Sequence, residues 1–328
     1  MKAAWYENQG PASEVLITGT TRPPEPKTGE VRIRVAASGI NPGDVKKRQD
    51  AFSVGMPHSR VIPHSDGAGT IDRVGPGVPK SRVGERVWCY GAQSSRPFGT
   101  AAEYVVVPSP QAISLPGTIS MEQGACLGIP GITAHRAVDV AGSVKGRTVL
   151  VQGGGGAVGQ CAIALARQAG ARVIATVRSK QDEEVAQRAG AHNVVRTDGI
   201  SDDEAMDGIQ RLAPDGIHHV VEVAFGANIK MDVEGLAQGG SIAAYATAMT
   251  SPSIPFWNLA FKNVRVFFLG SDDFPAEAKT MASRAMNEAL EAGWPGFTIG
   301  KRFPLESIAL AHEAVEQGEG TGRVVIVL

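Results

Sequence analysis

The sequence predicts an α/β protein that combines a β-rich domain with a doubly wound parallel sheet. Three observations support this prediction. The chain has 328 residues, and at about 150 residues per domain this length accommodates two domains. The part before Ser120 contains short strand-like segments that Gly/Pro turns separate. Beyond Ser120, strand-like and helical segments alternate, which favours parallel strands covered by helices.

The β-rich part is clearest at residues 31–35, where apolar and polar side chains alternate as in a half-buried strand. Turns such as Gly75-Pro76-Gly77 separate the further strand candidates. These candidates span residues 68–74, 85–89 and 104–107.

The central part begins with the wholly apolar segment 148–151, which predicts a short buried strand. Helices are predicted over 157–169 and 182–189, each followed by a glycine that ends it, Gly170 and Gly190. Further strands are predicted over 172–177, 193–195, 219–223, 241–246 and 264–269.

The tail changes character after Pro275. We expect a long helix to about residue 292, a strand near Thr298, a helix over 306–316 and a final strand over 323–327. Because the last segments alternate as the first ones do, we expect them to complete the first domain.

Composition excludes several classes of function. Thirty-two basic and 33 acidic residues leave a net charge of −1, too small to attract nucleic acid or an anionic membrane. Three scattered cysteines provide neither a disulfide framework nor zinc-ligand spacing. The sequence shows no signal peptide and no apolar run of about 18 residues, so we expect a cytoplasmic protein without a membrane span.

Glycine is over-represented, at 40 of 328 residues, or about 12% where about 7% is usual. Five of these glycines lie in Gly153-Gly154-Gly155-Gly156-Ala157-Val158-Gly159, directly after the predicted strand and before a predicted helix. This context is the one that a dinucleotide-binding GxGxxG motif requires. Glycines permit a tight turn and let backbone N–H groups reach a pyrophosphate, and Gly159 allows close packing of helix and strand.

The segment after the second strand indicates which dinucleotide is bound. NAD sites place an acidic residue about 20 residues after the loop to hold the ribose, whereas this chain has Arg178-Ser179-Lys180 there. The two cations can pair with a 2′-phosphate, and the Ser179 hydroxyl can donate to it. The cofactor is therefore predicted to be NADPH, with a solvated basic turn as the alternative.

Motifs along nearly the whole chain point to one family. By these motifs the chain resembles the zeta-crystallin/quinone oxidoreductase branch of the medium-chain dehydrogenase/reductase superfamily. Besides the glycine-rich loop they are Gly39-Ile40-Asn41-Pro42-Gly43-Asp44, Pro63-His64-Ser65-Asp66-Gly67-Ala68-Gly69, Val74-Gly75-Pro76-Gly77-Val78, Ala102-Glu103-Tyr104, Gly128-Ile129-Pro130-Gly131-Ile132-Thr133-Ala134, Phe303-Pro304-Leu305-Glu306, and Ala311-His312-Glu313 with Thr321-Gly322-Arg323-Val324-Val325.

The resemblance implies a GroES-like β domain over 1–123, an NADP-binding Rossmann domain over 124–270, and a return over 271–328 that completes the first domain. It also implies a homodimer or homotetramer with NADPH in the cleft between the domains. Beyond the motif glycines Gly153 and Gly159, the implied cofactor-binding residues are Gly155, Gly156, Ala157 and Val158 at the pyrophosphate, Arg178, Ser179 and Lys180 at the adenosine phosphate, Thr197 near the adenine, and Asn228, Tyr245, Ala246, Thr247, Phe268, Leu269 and Gly270 along the nicotinamide half.

The zinc-dependent members of the superfamily place their catalytic ligands at positions that match Asn41, Ser65 and Ile129. Asn and Ser are poor zinc ligands and Ile has no donor atom. We therefore expect no metal.

The resemblance leaves the proton donor open, because Lys46 and Phe52 stand where many relatives carry tyrosines. We expect Asn41 to donate to the acceptor oxygen, Lys46 to stabilise developing oxyanion charge, and Ser65 and Thr133 to add hydroxyl donors. Asn41 alternatively fixes only a turn, and Lys46 alternatively belongs to a solvated face. Phe256 and Trp257 are expected in the core rather than in the substrate pocket.

Three functions stay open at this point. The chain is predicted to be an NADPH-dependent quinone reductase, with an enone or enoyl C=C reductase as the alternative enzyme. The third possibility is a non-catalytic NADPH-binding protein of the crystallin type. RNA is not expected as the main partner, because basic and aromatic residues do not interleave.

Overall fold

The computed structural model describes residues 1–318 and 322–328, so Thr321 of the last motif lies outside the described residues. Within these ranges the chain forms the following strands and helices. The strands are β1 Lys2–Trp5, β2 Ile17–Thr20, β3 Glu30–Gly39, β4 Asp66–Val74, β5 Arg86–Cys89, β6 Tyr104–Pro108, β7 Ala112–Ser114, β8 Thr148–Val151, β9 Arg172–Val177, β10 Asn193–Arg196, β11 Ile217–Glu222, β12 Leu236–Ala244, β13 Arg265–Phe268, β14 Ile299–Pro304 and β15 Arg323–Val327. The helices are α1 Ala12–Val15, α2 Pro42–Arg48, α3 Met121–Gly124, α4 Gly128–Asp139, α5 Ala157–Gln168, α6 Lys180–Arg188, α7 Asp202–Leu212, α8 Phe225–Gly235, α9 Phe256–Phe261, α10 Ala276–Glu291 and α11 Ile308–Glu316.

These elements form two structural units. Unit 1 contains Met1–Ile129 and Gly296–Leu328, and unit 2 contains Pro130–Pro295. The sequence prediction places the boundaries after residues 123 and 270 instead. The second difference has a packing reason, because Met286 of α10 covers Gly131 so closely that a Cβ there would lie 2.8 Å from its Cγ. Helix α10 therefore belongs to unit 2.

Unit 2 is built on a six-stranded sheet in the order β10-β9-β8-β11-β12-β13, with every pairing parallel. Leu150, Ile174, Val220 and Ile242 lie on four of its strands and are fully buried in one core. A parallel sheet is covered by helices on both faces, which explains why its strands are short continuous apolar runs. The predicted doubly wound sheet is confirmed.

Unit 1 contains a seven-stranded sheet in the order β14-β15-β3-β4-β5-β7, with β6 paired to β3. Alternate residues of β3, namely Val31, Ile33 and Val35, face a core formed with β4, β5 and β6. Strand β15 pairs antiparallel with β3, so the C-terminal strands belong to the sheet of unit 1.

The predicted strands and helices recur in the structure with end shifts of a few residues, but several helices were not predicted. Helix α8 has Ala224 at its N-cap, no side-chain cap and glycines within it, so its sequence carries few helix signals. Helix α7, in contrast, starts with a capping box between Ser201 and Glu204 that its sequence does show. Among the described residues, none of the helices is long and apolar enough to cross a membrane.

Candidate functional site

The predicted cofactor residues of unit 2 collect at the carboxyl edge of its parallel sheet. The chain runs from β8 outward to β9 and β10, then returns to the other side of β8 for β11, β12 and β13. Ligands of doubly wound sheets bind at such a reversal point, beyond the carboxyl ends of the strands. The loop after β8, the turn after β9, Thr197 after β10, helix α8 after β11 and the segments after β12 and β13 all lie at this edge.

The glycine-rich loop needs its glycines for steric reasons. Gly153 has φ +68°, a conformation that favours glycine. A Cβ on Gly159 would lie 2.3 Å from the carbonyl oxygen of Gly153, and one on Gly154 would lie 2.8 Å from the Cβ of Ala175. The close packing predicted for Gly159 is therefore present, between α5 and the loop itself.

The loop presents backbone donors to an anion. Helix α5 starts at Ala157 with Gly156 as its N-cap, and the first N–H groups of a helix have no acceptor within it. These groups, together with the positive end of the helix dipole, fit a pyrophosphate. Thr176 holds the loop in shape, because its carbonyl accepts from Gly154 N at 2.8 Å and its hydroxyl from Gly153 N at 3.3 Å.

The segment predicted to hold the 2′-phosphate contains an acid that sequence reasoning did not assign. Arg178 and Lys180 are exposed and available. Ser179 instead caps α6: its hydroxyl accepts from Asp182 N at 3.0 Å and donates to Asp182 Oδ2 at 2.8 Å. The same carboxylate touches the glycine-rich loop, since a Cβ on Gly155 would lie 2.3 Å from Asp182 Oδ1.

Behind the loop lies a buried polar cluster that sequence reasoning also missed. Gln152 Nε2 donates to Asp232 Oδ1 at 2.7 Å and its carbonyl accepts from the Thr176 hydroxyl. Burial raises the pKa of Glu222, and burial together with the adjacent Glu222 charge raises the pKa of Asp232 well above its usual range. Asn228 Nδ2 donates to both oxygens of the Glu222 carboxylate, at 3.1 and 3.2 Å.

The remaining predicted cofactor residues are arranged mainly by backbone hydrogen bonds. Thr197 binds the carbonyl of Val177 through its N–H and its hydroxyl, at 2.8 and 3.1 Å. The backbone groups of Tyr245, Ala246 and Leu269 join neighbouring elements, and the Thr247 hydroxyl accepts from Gly226 N. Phe268 ends β13 with its ring exposed and edge-on to Phe225, and Gly270 follows.

In unit 1 the structure brings Asn41 and Ile129 together through Asp66. Asn41 Nδ2 donates to Asp66 Oδ2 at 2.7 Å, and Ile129 N donates to both carboxylate oxygens at 2.9 and 2.8 Å. Arg323 approaches from β15 and donates from its terminal nitrogen to Asn41 Oδ1 at 2.7 Å. These residues, which we call the Asn41 cluster (Asn41, Asp66, Ile129 and Arg323), come from four separate segments.

Asn41, Asp66 and Arg323 of this cluster are buried, and Ile129 is half-buried. Burial raises the pKa of Asp66 to about 7, although the hydrogen bond from Asn41 acts in the opposite direction. The donor atoms here do not fit zinc, because Asn41 and Asp66 already bind each other and Ile129 offers only its backbone. Across residues 1–318 and 322–328, no group of three His, Cys, Asp or Glu side chains is placed to hold a metal ion.

The other predicted catalytic residues are placed differently. Ser65, next to Asp66, is buried, and its hydroxyl has no hydrogen-bond partner among the described residues. Lys46 is half-buried in the last turn of α2, a position where a cation also stabilises the helix. Thr133 is buried in α4 within unit 2, and Phe52 is exposed in a loop of unit 1.

Two buried histidines of unit 1 form a network that the sequence did not indicate. His64 and His312 face each other with their Nε2 atoms 2.9 Å apart. Because the Thr100 hydroxyl donates to the carbonyl of Asp66, the hydrogen-bond directions follow along the whole chain of contacts. Arg48 donates to His312, and His312 donates to His64. His64 donates to Ser38, Ser38 to Thr100, and Thr100 to the carbonyl of Asp66.

Each imidazole in this network is neutral, with one nitrogen that donates and one that accepts. Protonation would set two N–H groups against each other. Burial lowers the pKa of His64 to about 3, and burial with the neighbouring His64 and Arg48 lowers the pKa of His312 well below its usual range.

Two expectations about aromatic residues are corrected. Phe256 and Trp257 are not in the core but are 60% and 66% exposed. With Phe261 they form a row of rings along α9, next to the edge strand β13.

Each unit contains a segment that matches a known protein family. Residues 27–117 match the family model described as alcohol dehydrogenase GroES-like domain, and residues 157–284 match the one described as zinc-binding dehydrogenase. Human quinone oxidoreductase is 31% identical over 98% of this chain and 96% of its own length.

Among solved structures, a mycobacterial quinone oxidoreductase is 25% identical, with a TM-score of 0.86 and full coverage of both chains. An NAD-dependent alcohol dehydrogenase is 27% identical, also with a TM-score of 0.86 and full coverage of both chains. The architecture is therefore shared by relatives with different named activities.

Proposed function

Because the chain belongs to the medium-chain dehydrogenase/reductase superfamily, among relatives of the zeta-crystallin quinone oxidoreductase type, we propose that it is an NADPH-dependent quinone reductase that works without a metal. It is an oxidoreductase of this superfamily with a nicotinamide cofactor. The preference for NADPH and for a quinone is the part that we propose.

The observation that carries the proposal is the chemistry of the Asn41 cluster. An alcohol dehydrogenase of this superfamily needs a Lewis acid to polarise its substrate, and the donor atoms of this cluster do not fit zinc. A quinone needs no such activation, because it accepts hydride readily and an N–H donor is enough to stabilise the developing oxyanion.

Unit 2 supplies the cofactor site. The glycine-rich loop and the first turn of α5 would bind the pyrophosphate, and Arg178 and Lys180 would pair with the 2′-phosphate. Nicotinamide, when bound, supplies the hydride. Ser179 is engaged with Asp182, so its role is to cap α6 and to fix the turn rather than to bind phosphate directly.

Unit 1 supplies the groups for the acceptor. Asn41 would donate its free N–H to the acceptor oxygen, and the unpartnered hydroxyl of Ser65 is available as a second donor. Lys46 would stabilise negative charge through its ammonium group, which has no hydrogen-bond or ion-pair partner among the described residues. Thr133, in unit 2, stays a predicted hydroxyl donor.

An enone reductase is the second candidate, because an N–H donor serves an enone carbonyl as well as a quinone. NADPH oxidation, followed by absorbance against matched panels of ortho-quinones, para-quinones and enones, separates the two. We expect the highest kcat/KM with a quinone, unchanged after chelation. Turnover of enones alone would replace the first proposal by the second, and tight NADPH binding without any turnover would support a non-catalytic protein.

Self-association is also proposed, through the face of unit 2 formed by α9 and β13. Phe256, Trp257 and Phe261 expose large rings in contact with one another, and contiguous exposed apolar patches of this kind mark protein interfaces. A second copy of this chain would cover them, as a dimer or a tetramer. Sedimentation of wild type against Trp257→Lys tests this, with a shift to monomer expected.

A cytoplasmic location is proposed as well. Cys89, Cys126 and Cys161 are free and buried, which suits a reducing compartment.

A further inference from the structure

Both ends of the Asn41 side chain are bound, and at the oxygen end the hydrogen-bonding role of the partner is fixed. The Asp66 carboxylate, which also accepts from Ile129 N, accepts from Asn41 Nδ2 at 2.7 Å. The Arg323 guanidinium can only donate, and it reaches Asn41 Oδ1 at 2.7 Å. The orientation of the Asn41 amide is therefore set by its partners.

The reversed orientation is strongly disfavoured. It would turn the NH₂ group toward the Arg323 guanidinium, which is a repulsive contact, and Oδ1 toward the Asp66 carboxylate, which repels it when ionised. Because Asn41 is 4% exposed and Asp66 fully buried, solvent screens these contacts poorly. The Asn41 backbone is fixed too, since its N–H donates to Asp44 Oδ2 at 2.8 Å.

This arrangement leaves one polar hydrogen uncommitted. An asparagine amide has two N–H donors and one carbonyl. Asp66 uses one donor, and the oxygen accepts from Arg323 and, in the capping box of α2, faces the Asp44 N–H, so the second N–H remains for a ligand. The Arg323 charge on Oδ1 also polarises the amide and strengthens that N–H as a donor.

We propose that Arg323 is a positioning residue that holds the Asn41 amide so that it offers a donor, never an acceptor, to the substrate. This inference rests on the proposed function of Asn41. It defines the substrate group as a carbonyl-type oxygen that gains negative charge, as in a quinone or an enone. Arg323 acts through Asn41 and need not touch the substrate.

The Arg323 side chain is also held in place. Its strand β15 is fixed by the bond from Arg323 N to the carbonyl of Thr298 at 2.8 Å. Its guanidinium lies over the ring of Phe297 at 5.8 Å. Its Nε is buried and has no hydrogen-bond partner among the described residues, and besides Asn41 the guanidinium also donates to the Cys126 thiol.

The test measures the Asn41 side chain directly. Asparagine amides are labelled with ¹⁵N, and the Asn41 signal is assigned by its loss in Asn41→Asp. Hydrogen exchange of this NH₂ group is then compared in wild type, Arg323→Met, Arg323→Lys and the control Arg302→Met. Arg302 also extends from a strand of unit 1, but it forms an exposed ion pair with Glu122.

We expect Arg323→Met to speed exchange of the Asn41 NH₂ at least about tenfold, because the amide is then free to turn and its N–H is no longer held against Asp66. Arg323→Lys, which keeps a cationic donor, should restore part of the protection, and Arg302→Met should match wild type. Unchanged exchange in a folded Arg323→Met protein would overturn the proposal. Should Arg323→Met fail to fold, Arg323→Gln, whose neutral amide can accept as well as donate, decides on the same criterion, with a rate equal to wild type as the contrary result.

A kinetic arm tests whether this positioning serves catalysis. With a quinone acceptor, Arg323→Met should lower kcat about tenfold and leave the NADPH affinity unchanged. It should add little to the defect of Asn41→Leu, because it acts through Asn41. Additive effects would contradict the proposal. If wild type reduces neither quinones nor enones, the proposed function fails while the exchange measurement still decides the orientation.

Discussion

The glycine-rich loop of unit 2 and the Asn41 cluster of unit 1 are built in opposite ways. The loop works by the absence of side chains: backbone N–H groups stay open at the start of α5, and glycines leave room for a ligand. The Asn41 cluster works by side chains that already bind one another, from segments 25 and 282 residues apart. The difference teaches that an anion site is encoded locally, whereas an oriented donor needs contacts across the sequence.

The largest effect is expected from removing the free space in the loop. Gly159→Ala places a Cβ 2.3 Å from the carbonyl oxygen of Gly153. Because both groups belong to the backbone, neither can move aside as a flexible side chain would. Overpacking of this kind costs about 1–3 kcal/mol, so we expect NADPH affinity to fall about 100-fold. Fluorescence titration of NADPH measures the change.

Gly208→Ala is the matched control, because Gly208 also lies in a helix of unit 2 but has only ordinary contacts, at 3.6 Å and beyond. It should raise the free energy of unfolding by up to about 1 kcal/mol and leave NADPH binding unchanged. Equal losses of affinity in both variants would remove the steric argument for the loop.

The second prediction concerns the backbone carbonyl groups at the end of α8 in unit 2. Lys262 Nζ donates to the carbonyls of Val233, Glu234 and Leu236 at 2.7, 2.8 and 2.8 Å, and so caps the end of α8. Lys262→Met leaves these carbonyls without their donor, and we expect a loss of about 2 kcal/mol in the free energy of unfolding.

Denaturant titration is the measurement, with Lys230→Met as control. Lys230 is exposed on α8, and its loss should change stability by less than about 0.5 kcal/mol. Equal changes in the two variants would mean that the cap contributes nothing.

The side-chain network of unit 1 should respond to pH. His64 and His312 have lowered pKa values when folded, so below the unfolded pKa of about 6.5 the unfolded chain binds protons that the folded one refuses. Stability is therefore lost as pH falls from about 6.5 toward 3, by up to about 1.4 kcal/mol per pH unit for each histidine.

Because the raised pKa of Asp66 acts in the opposite direction, the informative quantity is the difference from a variant. His312→Gln can donate to His64 and accept from Arg48 without titrating. Its free energy of unfolding should fall less steeply with acid by about 1.4 kcal/mol per pH unit. Parallel curves for the two proteins would show that the histidine pair is not held neutral.

The smallest change in cofactor affinity is expected at Asp182, whose carboxylate touches the glycine-rich loop. Asp182→Asn removes a negative charge beside Arg178 and Lys180. At about 1 kcal/mol for an exposed charge, NADPH affinity should rise about fivefold while NADH affinity stays the same. A fall in NADH affinity instead would mean that Asp182 binds the ribose hydroxyls, and the NADPH preference would then be lost.

The two regions also differ in how far the sequence predicts them. The apolar segment at 148–151, the glycines and the helix after them are adjacent, so the strand, the loop and their role follow from local pattern. Asp66 belongs to the family motif at residues 63–69, but nothing in the neighbouring sequence shows that it binds Asn41 and Ile129. Arg323 and His312 pair with residues more than 200 positions away, and such pairs depend on how β15 and α11 pack in unit 1.

Hydrogen–deuterium exchange with and without saturating NADPH tests the central claim most directly, namely that the carboxyl edge of the unit 2 sheet binds the dinucleotide. The account predicts that protection concentrates in residues 153–159, 178–182 and 245–248. Tight NADPH binding without protection of residues 153–159 would contradict it.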